Sequence, residues 1–263
     1  MRPSDETLRA IGIIPARYAS TRFPGKPLAL LGGKPVIEHV YERAKEVLSQ
    51  VVVATDDERI LQAVNQFGGE AVMTGSHHRS GTDRCFEALQ RVEQARGETF
   101  DIVVNIQGDE PFIHPRQLTT LLGLFHDYPD TQIATLAIPF NPRDGLPAIE
   151  NPNSPKVVVG THSQALYFSR SPIPFLRGKD REEWPALHTF LKHIGLYAYR
   201  TDTLALITQL PPSPLEQAES LEQLRWLENG LTIRVGLTDL ETIGIDTPAD
   251  LERAERQLTE QRV

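Results

Sequence analysis

Three cations share one short stretch of the chain, Arg17, Arg22 and Lys26, with Ser20, Thr21 and Gly25 between them. A triphosphate carries about four negative charges, and guanidinium forks, an ammonium and backbone N–H groups can meet it together. The spacing is neither G-x-x-x-x-G-K-[ST] nor G-x-G-x-x-G, so the P-loop and dinucleotide readings lose their main support. A solvated basic loop is the competing reading. A second stretch, Val103 to Pro111, ends an apolar run in Gln107, Gly108, Asp109 and Glu110. Carboxylates at a strand end suit magnesium, which takes one or two of them and completes its shell with phosphate oxygens and water. Asp109 is the metal candidate, while Glu110, just before Pro111, can instead shape the turn. A third stretch, Thr242 to Leu251, sets Asp246 before Thr247 and Pro248. Asp246 is either a helix cap or a second ligand, and convergence with Asp109 would decide between them.

The elements that must hold these residues follow from hydrophobic periodicity. Ile11 to Pro15, Val51 to Thr55, Ala71 to Met73 and Ile102 to Ile106 read as strands. Between them, Pro35 to Leu48, Glu58 to Phe67 and Thr82 to Ala95 read as helices, the second closed by Gly68 and Gly69. Such alternation specifies an α/β fold in three layers, a mostly parallel, Rossmann-like sheet with helices on both faces. In that fold the loop after the first strand faces the ligand crevice, and this is the loop that carries Arg17, Arg22 and Lys26.

The rhythm changes further on. Ile133 to Pro139, Lys156 to Val159 and Ala165 to Ser169 are β-like, and Phe175 to Thr189 reads as a charged loop. Roughly 133–200 is therefore a smaller mixed α/β section, a lid or a dimer contact, within a single domain spanning 1–263. Helical patterning returns at Leu204 to Leu210 and Glu216 to Asn229, then a strand at Thr232 to Val235 and a helix from Pro248. Asp56 and Asp57 read as a helix cap with an acidic first turn, and His77 and His78 as loop residues.

With 263 residues, 40% hydrophobic and 24% charged, the chain has an ordinary globular composition. A formal charge of −8 argues against a nucleic-acid partner, though a few placed cations can still hold a small polyanion. No apolar run reaches the roughly 18 residues of a membrane span. The opening residues lack the apolar core of a secretory signal, so a cytoplasmic address is expected. The single cysteine, Cys85, excludes an intrachain disulfide and reads as a buried helix residue.

Taken together, the three stretches resemble the 3-deoxy-manno-octulosonate cytidylyltransferase (CMP-Kdo synthetase) family, from about Ile11 to the final helix. Further matching stretches are His78 to Arg84, Asn151 to Asn153, Leu166 to Pro174, His193 to Tyr197, Pro212 to Glu216 and Leu221 to Arg225. The resemblance implies a fold of the nucleotide-diphosphosugar transferase type, a homodimer, and Mg2+ as cofactor. It implies that CTP is coupled to Kdo, an acidic eight-carbon sugar, for lipopolysaccharide biosynthesis. The CTP phosphates would meet Arg17, Ser20, Arg22 and Lys26, and cytosine would lie near Ser80, Gly81 and Thr82. Metal would bind Asp109 and Asp246. The sugar acid would meet Arg170, His193, Tyr197, Glu222 and Gln223, with Gln107 close by. Arg170 and His193 have structural alternatives, a surface ion pair and a satisfied buried histidine.

On this reading the sugar hydroxyl attacks the α-phosphorus of CTP, and Arg17, Lys26, Asp109 and magnesium carry most of the catalysis. An 8-amino sugar acid, a sialic acid, or a nucleotide-binding protein without catalysis are the alternatives.

Overall fold

The computed structural model describes residues 8–241 and 244–260. The first seven residues, and Thr242 and Ile243 of the third stretch, lie outside the described residues. In chain order the strands and helices begin with β1 (Ala10–Ala16), β2 (Leu30–Leu31), β3 (Lys34–Pro35), α1 (Val36–Lys45), β4 (Gln50–Thr55) and α2 (Glu58–Gln66). There follow β5 (Ala71–Met73), α3 (Gly81–Arg96), β6 (Ile102–Asn105), α4 (Pro115–Asp127), β7 (Ile133–Pro139), α5 (Gly145–Glu150), β8 (Lys156–Val159) and β9 (Ala165–Ser169). The last are α6 (Trp184–Leu187), β10 (Leu191–Arg200), α7 (Thr201–Ile207), α8 (Pro214–Glu219), α9 (Gln223–Glu228), β11 (Ile233–Leu237) and α10 (Pro248–Glu260). The described residues gather into two compact units. The first lies within Met1–Leu118, Tyr199–Thr208 and Thr242–Val263, and the second within Thr119–Ala198 and Gln209–Glu241.

The first unit is built on parallel strands that are apolar almost throughout, as strands covered on both faces must be. Ile11, Ile13, Ile14, Val52, Val53, Val103 and Val104 are wholly buried. β1 lies between β4 and β6, with β5 beyond β4, and every pairing is parallel. The chain runs outward from β1 through α1 to β4 and through α2 to β5. It then returns through α3 to β6, on the other side of β1. Right-handed crossovers put α3 on the face opposite α1 and α2. The reversal beside β1 opens a crevice at the carboxyl ends of β1 and β6, where open α/β sheets take ligands.

Caps set the helix starts that matter for this crevice. Asp57 accepts from the Arg59 N–H at 3.0 Å and caps α2, as the sequence reading has it. Ser80 accepts from the Asp83 N–H at 3.1 Å and caps α3. At α10 the Asp250 carboxylate takes the Thr247 N–H at 2.8 Å and Thr247 Oγ1 takes the Asp250 N–H at 3.3 Å. Bonds from Thr247 and Arg253, and from the Asp246 and Thr247 N–H groups, outweigh burial and bring the Asp250 carboxyl down to about 2. Thr247 and Asp250 therefore do the capping, and the Asp246 side chain is left for other work.

The second unit holds β7 between β11, which is parallel to it, and β10, with β8 antiparallel to both β10 and β9. Four segments differ from the sequence reading. Phe175 to Thr189 is more than a charged loop: its Trp184, at the start of α6, is buried with Ile149 and Phe190, because one large apolar ring outweighs the surrounding charges. The helix expected over Glu216 to Asn229 is two helices, since Ser220 takes a left-handed conformation (φ 51°) and ends α8. β10 and α4 carried no expectation, although β10 is the longest strand at ten residues.

Candidate active site

At the crevice beside β1 lies a cavity of about 330 Å³, within the size range of small-ligand sites. Its walls come from the loop after β1 (Pro15, Ala16, Arg17, Ser20, Arg22, Lys26), the loop after β6 (Gln107, Gly108, Asp109) and the start of α3 (Ser80, Gly81), together with Asp246. The three stretches singled out from the sequence thus meet in one place.

Their convergence is close. Lys26 Nζ donates to Asp109 Oδ2 at 2.5 Å and to Asp246 Oδ1 at 3.1 Å. Arg22 reaches the other oxygen of Asp246 at 3.1 Å. The Ile245 N–H donates to the Asp109 carbonyl at 2.8 Å and pins the two segments together. Arg17 is exposed at the rim, with no ion-pair partner among the described residues. A cationic wall facing two carboxylates can hold both a polyphosphate and a divalent cation.

The backbone brings these groups within reach through a few close approaches. Gly25 has φ 74°, and its N–H closes the loop onto the Tyr18 carbonyl at 2.9 Å. A Cβ there would meet the Tyr18 ring at 3.1 Å, and that ring is itself covered by the Arg59 guanidinium. At Gly108 a Cβ would come 2.9 Å from the backbone oxygen of Pro15, which cannot move aside. Ser20 Oγ accepts weakly from the Phe23 N–H at 3.4 Å, so it also shapes its own loop. Ser80 and Gly81 face the cavity, whereas Thr82 is buried in the first turn of α3.

Arg84, Arg79 and His78 also line the cavity. The sequence reading assigned Arg84 no role, yet its guanidinium is almost fully buried and donates to Thr74 Oγ1 at 2.6 Å and Asp56 Oδ2 at 3.1 Å. Asp56, read as part of a helix cap, is its counter-ion. The available signal was spacing, since Arg84 stands four residues after the capping Ser80 and so on the same helix face. His78 contacts the Glu87 carboxylate, which also accepts from the Gly75 N–H and from Arg91. Burial pushes that carboxyl up, but these three donors outweigh it and bring it down to about 2.

The sugar-acid candidates, apart from Gln107, lie in the second unit. His193 is buried against Phe168 and Tyr197, and its Nε2 lies 3.0 Å from Thr135 Oγ1. Thr135 has one proton and two carbonyl acceptors, Ile194 at 3.1 Å and Leu196 at 2.9 Å, so His193 Nε2–H is the donor. Burial pushes the imidazole pKa down to about 3, so at neutral pH it is uncharged. Tyr197 packs edge-on against Trp226, and Glu222 stands at the start of α9. Gln223 is buried, and its Nε2 has no hydrogen-bond partner among the described residues.

Among the described residues Arg170 forms no ion pair. Its guanidinium donates to the carbonyls of Glu219 at 2.6 Å, Pro152 at 2.8 Å and Ser220 at 3.2 Å, clamping the turn that leads to Glu222 and Gln223. Among the described residues two of its five N–H groups take no partner. Beneath it the wholly buried Lys156 donates to the Arg170 and Asn151 carbonyls. Burial, against the pull of Glu219, lowers its pKa to about 8.

The buried histidine makes stability depend on pH. The folded pKa lies below the ordinary 6.5, so between pH 6.5 and about 3 the unfolded chain binds a proton that the folded protein does not. Stability therefore falls as pH drops through that window, by roughly 2 kcal/mol between pH 6.5 and 5 from this residue. Urea midpoints at pH 7 and 5 test it: His193→Gln is expected to show the smaller drop, and equal drops would refute the assignment.

By fold and site the protein is a nucleotidyltransferase. The sequence profile of a family described as cytidylyltransferase matches residues 11–233. A 3-deoxy-manno-octulosonate cytidylyltransferase of Phocaeicola vulgatus is 64% identical over 248 residues, 94% of this chain and 96% of that protein. One of Escherichia coli is 48% identical over 93% of this chain and 94% of its own length. The solved structure of CMP:2-keto-3-deoxy-manno-octonic acid synthetase complexed with CTP shares the fold with a TM-score of 0.86, at 47% identity over 96% of this chain and 99% of that one. The chain belongs to the 3-deoxy-manno-octulosonate cytidylyltransferase family.

Proposed function

We propose that the protein couples CTP to 3-deoxy-manno-octulosonate, forming CMP-Kdo and pyrophosphate, with Mg2+ held by Asp109 and Asp246. The observation that carries the reading is the meeting of both aspartates on one ammonium at the mouth of a cationic crevice. The donor set fits magnesium: two carboxylates converge, and among the described residues no cluster of three or more His, Cys, Asp or Glu is placed to enclose an ion. Such a pair leaves room for phosphate oxygens and water.

Arg17, Arg22 and Lys26 bind the triphosphate, and the capped start of α3, with Ser80 and Gly81, offers backbone groups to the base. Magnesium bound by the aspartates would neutralise phosphate charge and favour ionisation of the attacking hydroxyl. The anomeric hydroxyl gives up its proton to solvent and its oxygen attacks the α-phosphorus in line, the bond to the β-phosphate bridging oxygen breaks, and pyrophosphate leaves with that electron pair. Lys26 and Arg17 stabilise the charge that builds on the phosphates. Arg170 offers its remaining N–H groups to the sugar carboxylate. Gln223 Nε2, a buried donor without an acceptor among the described residues, suits a sugar hydroxyl, and the uncharged His193 and Tyr197 of the same unit can read others.

Purified protein incubated with Mg2+, CTP and single sugar acids, while pyrophosphate is followed, tests the reading. Release is expected with 3-deoxy-manno-octulosonate. Silence with every sugar overturns it, and faster release with the 8-amino sugar would move the assignment to that substrate. The same reading includes a cytoplasmic homodimer; Leu166, Phe175 and Leu187 are exposed apolar residues of the second unit of the kind two copies bury. A monomer mass in the same preparation would remove that part.

A further inference from the structure

Lys26 already seats a cation on the carboxylate pair. Its side chain is only 13% exposed, and its ammonium takes Asp109 Oδ2 and Asp246 Oδ1, one oxygen from each carboxylate. Arg22 holds the remaining oxygen of Asp246 from the solvent side, its own side chain 67% exposed. Two negative charges thus face two positive ones. A divalent ion using the same pair would compete for the oxygens that Lys26 holds and would strip a mostly buried ammonium of its acceptors.

We infer that Lys26 is an internal stand-in for the metal, so that a divalent ion gains the Asp109–Asp246 pair only when nucleotide phosphates draw the ammonium away. The inference rests on the reading of these aspartates as the metal pair. A lysine suits the exchange, being a point charge on a flexible four-carbon stem. It lines the same cavity as Arg17 and Ser20, so phosphate oxygens placed there lie within its reach. With a triphosphate bound, the ammonium pairs with phosphate and the metal with carboxylate, and each positive charge keeps an anion. Without nucleotide, the metal must displace a cation that has nowhere else to go. Nucleotide and metal affinities are therefore coupled, and the coupling is reciprocal.

Mn2+ titrated into the nucleotide-free, full-length protein, with free Mn2+ read by electron paramagnetic resonance, tests this without turnover. Lys26→Met is expected to bind one Mn2+ at least tenfold more tightly than the parent, with a thermal unfolding transition confirming that it is folded. Lys26→Gln replaces it should the methionine variant unfold. Lys26→Arg, which keeps the cation, is expected to stay within threefold of the parent. Arg22→Met removes an equal charge from Asp246 but none from Asp109, and is expected to gain less than threefold. Parent and Lys26→Met binding Mn2+ equally, at a site lost in Asp109→Asn, overturns the stand-in and leaves the metal pair standing. An equal gain in Arg22→Met reduces the effect to net charge and also overturns it. A site untouched by Asp109→Asn in either background overturns the metal pair itself.

Discussion

Asp109→Asn is expected to lower the maximal rate of pyrophosphate release by about a hundred- to a thousandfold at saturating Mg2+, CTP and sugar acid. The amide is nearly isosteric and still accepts from Lys26, so the loop after β6, fixed by the Ile245 N–H on the Asp109 carbonyl, stays in place. What disappears is one of the two negative charges that the proposed mechanism assigns to the metal. CTP should still bind, because Arg17, Arg22 and Lys26 are untouched. The loss therefore belongs in the chemical step, and single-turnover kinetics with CTP binding measured beside it separates the two. Near-normal turnover would show that Asp109 holds no essential ion.

A second large effect belongs to Arg84. Its side chain is 5% exposed and its partner Asp56 19%, so the pair is largely out of water. Replacing Arg84 by methionine leaves a carboxylate and the buried Thr74 hydroxyl without their donor, and is expected to cost about 3 kcal/mol of unfolding free energy. Urea unfolding measures this, and a double-mutant cycle identifies its origin. Asp56→Asn combined with Arg84→Met should be more stable than Arg84→Met alone, since the stranded charge is gone. A double variant no more stable than the single one would place the cost in lost packing. Because Arg84 also lines the cavity, KM for CTP should rise with the loss of stability.

The two effects divide along what the sequence could reveal. Asp109, Lys26 and Asp246 were legible as candidates, because side-chain type and place along the chain single them out. Asp109 stands just past the buried run of β6 and Lys26 on the loop that follows β1, and an open parallel sheet takes its ligands at such strand ends, whereas no buried apolar run precedes Asp246 among the described residues. Whether Asp246 was a cap or a partner of Asp109 needed coordinates, since the answer lies in Thr247 and Asp250 capping α10 between themselves. Arg84 was opaque for the opposite reason. A buried arginine depends on a counter-ion brought from another loop, and Asp56 looked like an ordinary helix start.

The same logic holds for the second unit. Lys192 to Arg200 mixes polar and apolar residues without clean alternation, so β10 left no strand signal. Trp184 sits among Arg181, Glu182 and Glu183, whose charges hid a core residue. Nothing in the sequence marks Ser220 as left-handed. The Arg170 clamp on the Glu219 and Ser220 carbonyls holds a turn whose existence the helical pattern had concealed.

The contact between Lys26 and Asp246 spans 220 positions. During synthesis, strands β1, β4 and β6 can pair and α3 can dock long before Asp246 has been made. The chain can thus own a folded nucleotide crevice while still lacking half of its carboxylate pair. On the proposed mechanism catalytic competence arrives last, when the segment before α10 returns to Asp109 and pins itself there through Ile245. A ribosome-bound chain that stops short of this point would carry the cationic loop without the second aspartate that the proposed mechanism requires.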